Sequence, residues 1–288
     1  IHFLERKWGV HYAIGGTGGL INALKKLMIE ENIKIKTNSE VTQIITQKNK
    51  VIGVEVKNKT KYFADKIVIN ADPAFTYKNL LNNEYNKKWN RKKLNKLDYS
   101  MGLFVIYFGT KKKYPNIAHH TIWMGKRYEG LLNDIFKKKI LADDFSLYLH
   151  RPTATDKSMA PKGHDCFYVL SPVPNLKGNV NWKISAERYK NKILEALEKT
   201  ILPELKKNLS ICFYMTPLDF MNDYLSLNGT GFSISPIFKQ SAWFRFHNKS
   251  EDFDNLYFTG AGSHPGAGVP GVVSSAKIIE NLIMNETR

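Results

Sequence analysis

Apolar residues recur every three or four positions in several segments of the chain, which predicts amphipathic helices. The clearest covers about 185–202, and two more are expected at 20–28 and after Gly271. In a fourth segment, 131–141, an apolar face lies opposite three consecutive lysines. That face could rest on a bilayer or pack against the rest of the protein.

Apolar positions that alternate, or that run on without interruption, predict strands. We expect strands at 33–37, 41–45, 51–56, 67–69, 101–108, 145–149, 166–170 and 256–258. The turn at 47–50 is expected to join two of them as a hairpin. The run at 67–69 is uniformly apolar, so we expect it to be buried on both faces. Pro73 stops this strand, and Asp72 is expected to cap the chain that follows.

A glycine-rich stretch separates the last predicted strand from the last predicted helix. Residues 260–271 contain five glycines and two prolines, which exclude a regular helix or strand there. A unit of strand, glycine loop and helix brings backbone N–H groups and a helix N-terminus against an anionic or electron-rich ligand. The alternative is an ordinary tight turn, which rarely needs so many glycines.

A second glycine cluster, Gly15-Gly16-Thr17-Gly18-Gly19, precedes the predicted helix at 20–28. It does not have the spacing G-x-G-x-x-G, and no β-branched strand precedes it. These glycines either let the helix N-terminus pack closely or contact a ligand directly.

The 288 residues are enough for one large domain or two smaller ones, and the lysine-rich stretch 82–96 marks a change of domain. A formal net charge of +17 would suit an anionic partner. Only seven of the 43 basic residues are Arg, the side chain that bidentate recognition of bases and phosphates favours. We therefore expect no nucleic acid, and we interpret the charge as a solvated lysine surface or as attraction to anionic lipid.

Two cysteines, Cys166 and Cys212, lie far apart within apolar runs, without a CxxC motif or a disulfide framework. They indicate buried thiols in a reducing compartment, which favours a cytoplasmic protein. The sequence contains no apolar run of 18 residues, so no segment of it is expected to span a membrane.

Several chemistries lack the residues they need. His119 and His120 are adjacent and would diverge in a strand, so no metal site is predicted. The hydrolase motif G-x-S-x-G and the phosphate-binding motif G-x-x-x-x-G-K-[ST] are both absent from the sequence. The remaining features are a glycine loop that leads into a helix, a sheet of apolar strands and a region rich in aromatic residues. They favour a bound cofactor that does the chemistry while the protein positions it. A helix N-terminus would stabilise the negative charge of a reduced flavin, although a nicotinamide also stays open.

The glycine-rich stretch, GAGSHPGAGVPGV at 260–272, closely resembles the C-terminal flavin signature of the bacterial-type phytoene desaturases. These enzymes lie within the wider family of carotenoid desaturases and amine-oxidase-like flavoproteins. The likeness extends over essentially the whole chain, in GGTG at 15–18, SLYLHRPT at 146–153, YVLSPVPNL at 168–176 and QSAWFR at 240–245.

This resemblance implies a mixed α/β fold, in which a Rossmann-like domain that binds FAD carries an inserted substrate domain of mixed sheet and helices. Residues 1–80 and 241–288 would belong to the FAD domain, and residues 81–240 to the substrate domain, which faces the membrane. The residues that the resemblance places along the FAD chain, under its ring or at its adenine are Gly260, Ala261, Gly262, Ser263, Gly268, Val269, Pro270, Gly271, Val272 and Val41.

The implied enzyme introduces double bonds into a long polyene hydrocarbon such as phytoene, with hydride passing to the flavin and a proton elsewhere. It would be attached peripherally to the membrane, and quinone or oxygen would restore its oxidised FAD. Arg151 and Asp156 are candidate catalytic residues in a family-like loop, although a buried ion pair and a loop cap would explain them equally well. The alternatives are a carotenoid isomerase, a ketolase, a diapophytoene desaturase, or an inactive chain that only binds a membrane or a partner.

One departure from the family pattern concerns the front of the chain, where no Rossmann strand runs into G-x-G-x-x-G. Judged against the family layout, about a third of the protein would be missing there. We therefore expect the 288-residue chain by itself to bind FAD weakly or not at all, which the flavin spectrum of the purified chain would test.

Overall fold

The computed structural model describes residues 2–82 and 84–286. The α-helices are α1 (His2–Trp8), α2 (Gly16–Glu30), α3 (Pro73–Phe75), α4 (Arg91–Lys96), α5 (Tyr128–Asn133), α6 (Trp182–Thr200), α7 (Leu205–Asn208), α8 (Pro217–Asp223) and α9 (Val269–Glu286). The strands are β1 (Val41–Gln47), β2 (Lys50–Val56), β3 (Lys61–Phe63), β4 (Ile67–Ile69), β5 (Gly102–Thr110), β6 (His120–Trp123), β7 (Leu147–His150), β8 (Asp165–Val173), β9 (Leu209–Met215) and β10 (Leu256–Phe258). Short π-helical turns continue α3 and α5.

The largest sheet is antiparallel and has the strand order β6-β7-β8-β5-β9. Burial alternates strictly along β8, because successive side chains point to opposite faces of the sheet. One face belongs to an apolar core with α6, whose Ile193, Leu194 and Leu197 are buried in it. The opposite face of the sheet holds the cavity described below.

Two smaller sheets belong to a second apolar core. The antiparallel sheet β1-β2-β3 contains the predicted hairpin, which turns at Lys48 and Asn49. The strands β4 and β10 pair in parallel. Asn255 joins the two sheets, because its side chain accepts a hydrogen bond from the N–H of Val51 at 2.9 Å and donates to the Val51 carbonyl at 2.6 Å.

Several predicted elements differ from the structure. The alternating stretch 33–37 forms no strand, because no described strand hydrogen-bonds to it. The strand β4 is not buried on both faces, since Val68 is 49% exposed. The strand β9 and the helix α8 lie in a region that we expected to be loop. No helix among the described residues is long and apolar enough to cross a bilayer.

The two cores do not separate at the predicted domain limits of 80 and 240. Trp89, Leu94 and Ile234 pack in the second core, together with Tyr77 and Phe246. The first core draws on residues from Phe104 onward. The division into domains stays a prediction, although the second core includes residues on both sides of each predicted limit.

Candidate functional site

The parallel strands β4 and β10 end at the same edge of their sheet, and the glycine-rich stretch starts there. After β4, the Asp72 carboxylate accepts the N–H of Ala74 at 2.9 Å, which confirms the predicted cap, with Pro73 as the first residue of the helix. A side-chain carbon added to Gly262 would lie 2.3 Å from the Pro73 ring. Glycine at 262 therefore lets the loop after β10 pass against the turn after β4.

Buried polar side chains hold the glycine loop through its carbonyl groups. Arg245 donates from Nη2 to the Ala261 carbonyl at 2.7 Å and from Nε to the Ser263 carbonyl at 3.1 Å. Burial lowers the pKa of the Arg245 guanidinium, and Asp72 counteracts this with its negative charge. Asn248 donates to the carbonyls of Phe258 and His264, at 3.1 and 2.8 Å. These contacts, together with an isolated β-bridge between Phe246 and Ser263, fix the backbone of a segment that lies outside the helices and strands.

The start of α9 is open on the side away from these contacts. Residues 267–270 are exposed, and Gly268 has φ of +103° with no neighbour where a side chain would be. Behind them the Ser275 hydroxyl, fully buried, accepts the N–H of Gly260 at 2.9 Å and lies 2.6 Å from the Thr259 hydroxyl. The loop is thus anchored to α9 from within, while the helix N-terminus faces outward where an electron-rich group can approach it.

The structure brings together the site residues that we predicted within 260–272. Val41 is the first residue of β1. It lies at the open end of the hairpin, whereas Val51, which Asn255 contacts, lies near the turn. The predicted role of Val41 at the adenine, like that of each loop residue, stays a prediction.

A cavity of about 600 Å³ lies on the face of the large sheet opposite α6. Its floor consists of side chains from β5, β8 and β9, with Tyr107 stacked on Phe213 at a ring-centre distance of 5.1 Å. Residues from the first glycine cluster and from the loop after β7 complete the wall. The apolar and aromatic residues that line it include Leu103, Val105, Phe167, Leu170, Ile211 and Phe220.

The two candidate catalytic residues both have partners within the protein. Arg151 is buried and donates from Nη1 to the Asp165 carboxylate at 3.2 Å. Asp156 accepts hydrogen bonds from the N–H groups of Ser158 at 2.9 Å and Gly15 at 2.7 Å. A hydrogen bond from the Ser158 hydroxyl, together with those from the N–H groups of Gly15 and Ser158, lowers the pKa of the Asp156 carboxyl. The ion pair and the loop cap that we considered as alternatives are therefore present, and catalysis by either residue stays a prediction.

Three histidines meet at one end of the sheet, although we expected the adjacent pair to diverge. His119 lies in a bend just before β6, so its ring is not forced to the opposite face, and its centre is 4.4 Å from that of His120. His150 pairs with His120 across β6 and β7. Burial, together with the two neighbouring imidazoles, lowers the pKa of His150 to about 4. Apart from the residue types, no sequence pattern indicated this cluster, because strand register brings the third ring into place.

One family model covers nearly the whole chain. The model of the flavin containing amine oxidoreductases matches residues 1–279. The chain belongs to this family.

Among curated relatives, the chain is 46% identical over 286 residues to the phytoene desaturase (neurosporene-forming) of Rhodobacter capsulatus. It is 42% identical over 288 residues to the phytoene desaturase (lycopene-forming) of Pseudescherichia vulneris. It is 31% identical to a 4,4'-diapophytoene desaturase of Methylomonas. These alignments cover 97–99% of the chain but only 55–58% of each relative, so this family member spans little more than half the length of the proteins it matches.

Solved structures of low sequence identity share the fold. An oxidoreductase from Methanosarcina mazei matches 93% of the chain, at 19% identity and a TM-score of 0.61, and 55% of that protein is covered. A variant of putrescine oxidase matches 93% of the chain, at 12% identity and a TM-score of 0.58, with 53% of that protein covered. The predicted mixed α/β flavoprotein fold is confirmed for this family member.

Sequence reasoning missed part of what supports the loop in this family member. Arg245 lies in the motif QSAWFR at 240–245, but the motif assigned it no role, and no pattern in the sequence marked Asn248 or Ser275 as functional. Their function is to bond the loop backbone, and that requires only a polar atom at the right place in space. Residue patterns along the chain do not indicate which distant side chains will lie next to the loop.

Proposed function

We propose that this chain forms the substrate floor and one part of the FAD site of a carotenoid desaturase, which dehydrogenates a long polyene hydrocarbon of the phytoene type. The observation that carries the proposal is the cavity wall, which is built largely from hydrocarbon and aromatic side chains. A substrate without polar atoms gains its binding energy from apolar burial and needs few hydrogen-bonding groups. The names of the relatives at 42–46% identity support the same substrate class.

The residues at the glycine loop fit FAD as the cofactor. Gly268 leaves the backbone bare, and residues 267–270 expose the N-terminus of α9, whereas Gly260 and Gly262 let the loop pack against Asn70 and Pro73 behind this opening. In the proposal, Gly260–Gly268 follow the chain of the cofactor, and Val269–Val272 lie under its ring. When bound, the flavin supplies the acceptor for the hydride. This chain would contribute the N-terminus of α9, whose positive electrostatic potential stabilises the negative charge that develops on the flavin. Arg245 would keep the loop rigid.

We also propose that the protein attaches to a membrane surface, from which it takes its substrate, and that quinone or oxygen serves as the final electron acceptor. An apolar patch with lysines around it supports the attachment. Its segments 135–139 and 235–237 line one cleft, and Phe238 and Trp243 beside it are 85% and 77% exposed. Lysines 137, 139 and 177 line the same cleft, and Lys239 lines a neighbouring cleft together with Trp243. Apolar side chains among lysines suit a surface of anionic lipid.

Pigment analysis tests the desaturase proposal. The complete gene that contains the coding sequence of this chain would be expressed in a host that accumulates phytoene, and the carotenoids would be separated and identified. We expect coloured polyenes with additional double bonds. Phytoene that remains unchanged, although the protein is soluble and binds flavin, would contradict the proposal. Conversion in a host that makes diapophytoene, and not in one that makes phytoene, would favour the diapophytoene alternative.

A matched pair of variants tests the cavity floor. Phe213→Lys places a charge on the wall of the cavity, where burial by a hydrocarbon substrate would be costly. Phe63→Lys makes the same change on β3, outside the cavity. Both side chains are more than half exposed, so neither variant is expected to unfold the protein. We expect pigment to fall at least about tenfold in the first variant only, which corresponds to about 1.4 kcal/mol. Equal pigment in both would exclude this face as the substrate floor.

A further inference from the structure

The structure assigns a metal-binding site to His119, His120 and His150, a cluster at the edge of the cavity that the proposed desaturase function does not use. We propose that these three imidazoles bind one divalent ion of the class that prefers nitrogen ligands, with Zn²⁺ as the first choice. One potential ligand atom from each ring lies within 4.8 Å of the other two.

The ring positions fit three ligands of a common ion. Their centres are 4.4, 4.7 and 5.2 Å apart. Three imidazoles bound to one tetrahedral zinc, with Zn–N bonds of about 2.0–2.1 Å, have ring centres about 5 Å apart and nitrogens about 3.4 Å apart. Small side-chain rotations would bring the nitrogens together, while the backbone stays fixed by the ladder between His120 and His150.

Hydroxyl groups occupy the far nitrogen of two of the rings. Nδ1 of His119 lies 2.5 Å from the Thr155 hydroxyl, and Nδ1 of His120 lies 2.6 Å from the Tyr148 hydroxyl. A hydroxyl oxygen can accept a hydrogen bond from a protonated Nδ1. Nε2 of the same ring is then unprotonated, and its lone pair is available to a metal ion. This is the usual arrangement around metal-binding histidines, in which an outer partner fixes the tautomer and the ring.

The decisive atom is Nε2 of His119. It is buried, and it makes no hydrogen bond with any described residue. A buried polar atom without a partner costs free energy, so it indicates a missing ligand. A metal ion would satisfy it, and the exposed His120 provides a path by which the ion can enter.

The surrounding charge does not oppose a cation strongly. The nearby guanidinium of Arg151 is paired with Asp165, so its charge is compensated. His150 lines the cavity, so the ion would lie at the cavity edge. Three protein ligands leave a fourth coordination position open for water or another small ligand, as in catalytic zinc sites.

Cobalt titration tests the site directly. The 288-residue chain without an affinity tag would be freed of metal by a chelator and titrated with Co²⁺, whose visible d–d bands report nitrogen ligation. We expect one Co²⁺ per chain, displacement by Zn²⁺, and a rise in melting temperature with Zn²⁺. His119→Ala and His150→Ala should each abolish the bands. His164→Ala removes a histidine outside the cluster, which binds its own loop at Lys162, and should leave them unchanged.

A fourth variant makes the result independent of the folding of the histidine variants. Thr155→Val keeps all three ligands and changes an exposed side chain, so the fold should persist. Loss of its outer hydrogen bond should weaken Co²⁺ binding about 10- to 100-fold at an unchanged melting temperature of the metal-free protein. Absence of d–d bands in the parent chain would overturn the proposal. Bands that persist in His119→Ala, or that Thr155→Val leaves at full affinity, would overturn it as well.

Discussion

At the residue scale, Arg151 shows how the same side chain can be interpreted in two ways. In the sequence it stands in a family-like loop as a candidate for catalysis. In the structure its guanidinium pairs with Asp165, and the same carboxylate accepts the N–H of Tyr114 at 2.7 Å. This geometry joins the loop after β7 to the start of β8, and it gives Arg151 a structural task that can be measured.

We predict that Arg151→Ala lowers the free energy of unfolding by about 3–5 kcal/mol, because it leaves the buried carboxylate of Asp165 without its cation. Urea unfolding followed by circular dichroism would measure this loss. Arg188→Ala, on an exposed position of α6, is the control and should stay within about 0.5 kcal/mol of the parent. If Arg151→Ala were as stable as the control, the ion pair would not be structural, and a role in catalysis would gain support.

At the element scale, side-chain hydrogen bonds attach α9 to the rest of the protein in its first half and at its end. Near its start, Ser275 binds the loop backbone. At its end, the Glu286 carboxylate accepts hydrogen bonds from Lys249 at 2.7 Å, Lys66 at 2.9 Å and the Tyr257 hydroxyl at 2.5 Å. Two lysines thus offset a negative charge that the C-terminus of a helix would otherwise disfavour. The helix whose start faces the proposed cofactor is held in place by these two sets of contacts.

The Glu286 cluster predicts a pH dependence of stability. Hydrogen bonds from Lys249, Tyr257 and Lys66 lower the pKa of Glu286 from 4.5 to about 2. A carboxyl group whose pKa is depressed by folding stabilises the folded state fully above its unfolded pKa, and this stabilisation is lost as the pH falls through the folded value. We expect Glu286→Gln to melt at a lower temperature than the parent at pH 7, with a difference that shrinks between about pH 4.5 and pH 2.

Glu280→Gln is the matched control for this experiment, since Glu280 lies on the same helix in an exposed pair with Lys277 at 2.7 Å. Exposed pairs contribute little to stability, so its melting temperature should follow that of the parent at every pH. A Glu286→Gln protein that shows no pH-dependent difference would mean that the cluster does not hold the end of α9.

At the scale of the whole molecule, the proposed membrane attachment combines the net charge of +17 with exposed apolar residues. In this proposal, lysines attract the protein to an anionic surface over the Debye length, and apolar side chains then insert at short range. The patch around Phe238 and Trp243 offers both kinds of contact on one side of the protein. A scattered lysine surface without such a patch would give binding that no single substitution could remove.

We predict that the chain floats with vesicles that contain anionic lipid, and that Phe238→Ser combined with Trp243→Ser abolishes flotation. Raising the salt concentration from 0.1 M to 1 M should weaken binding, because the Debye length falls from about 10 Å to about 3 Å. Ile184→Ser, on α6, removes an apolar side chain that is 75% exposed outside the patch, and it should bind as the parent does. Flotation that the double variant leaves unchanged would place the membrane contact elsewhere.

The sequence by itself determined the local elements and the family. Periodicity located α6 and the strands β5, β7 and β8 of the large sheet, though not β6 and β9, and the order of strand, glycine loop and helix at 256–286 could be read directly. Each of these elements depends on residues close together in the chain. Tertiary structure decided what depends on residues far apart. Register brings His150 beside His120, Arg245 reaches the carbonyls of the loop, and 33–37 remains irregular without a neighbouring strand. Hydrogen-bond partners across space set these outcomes, and no local pattern encodes them.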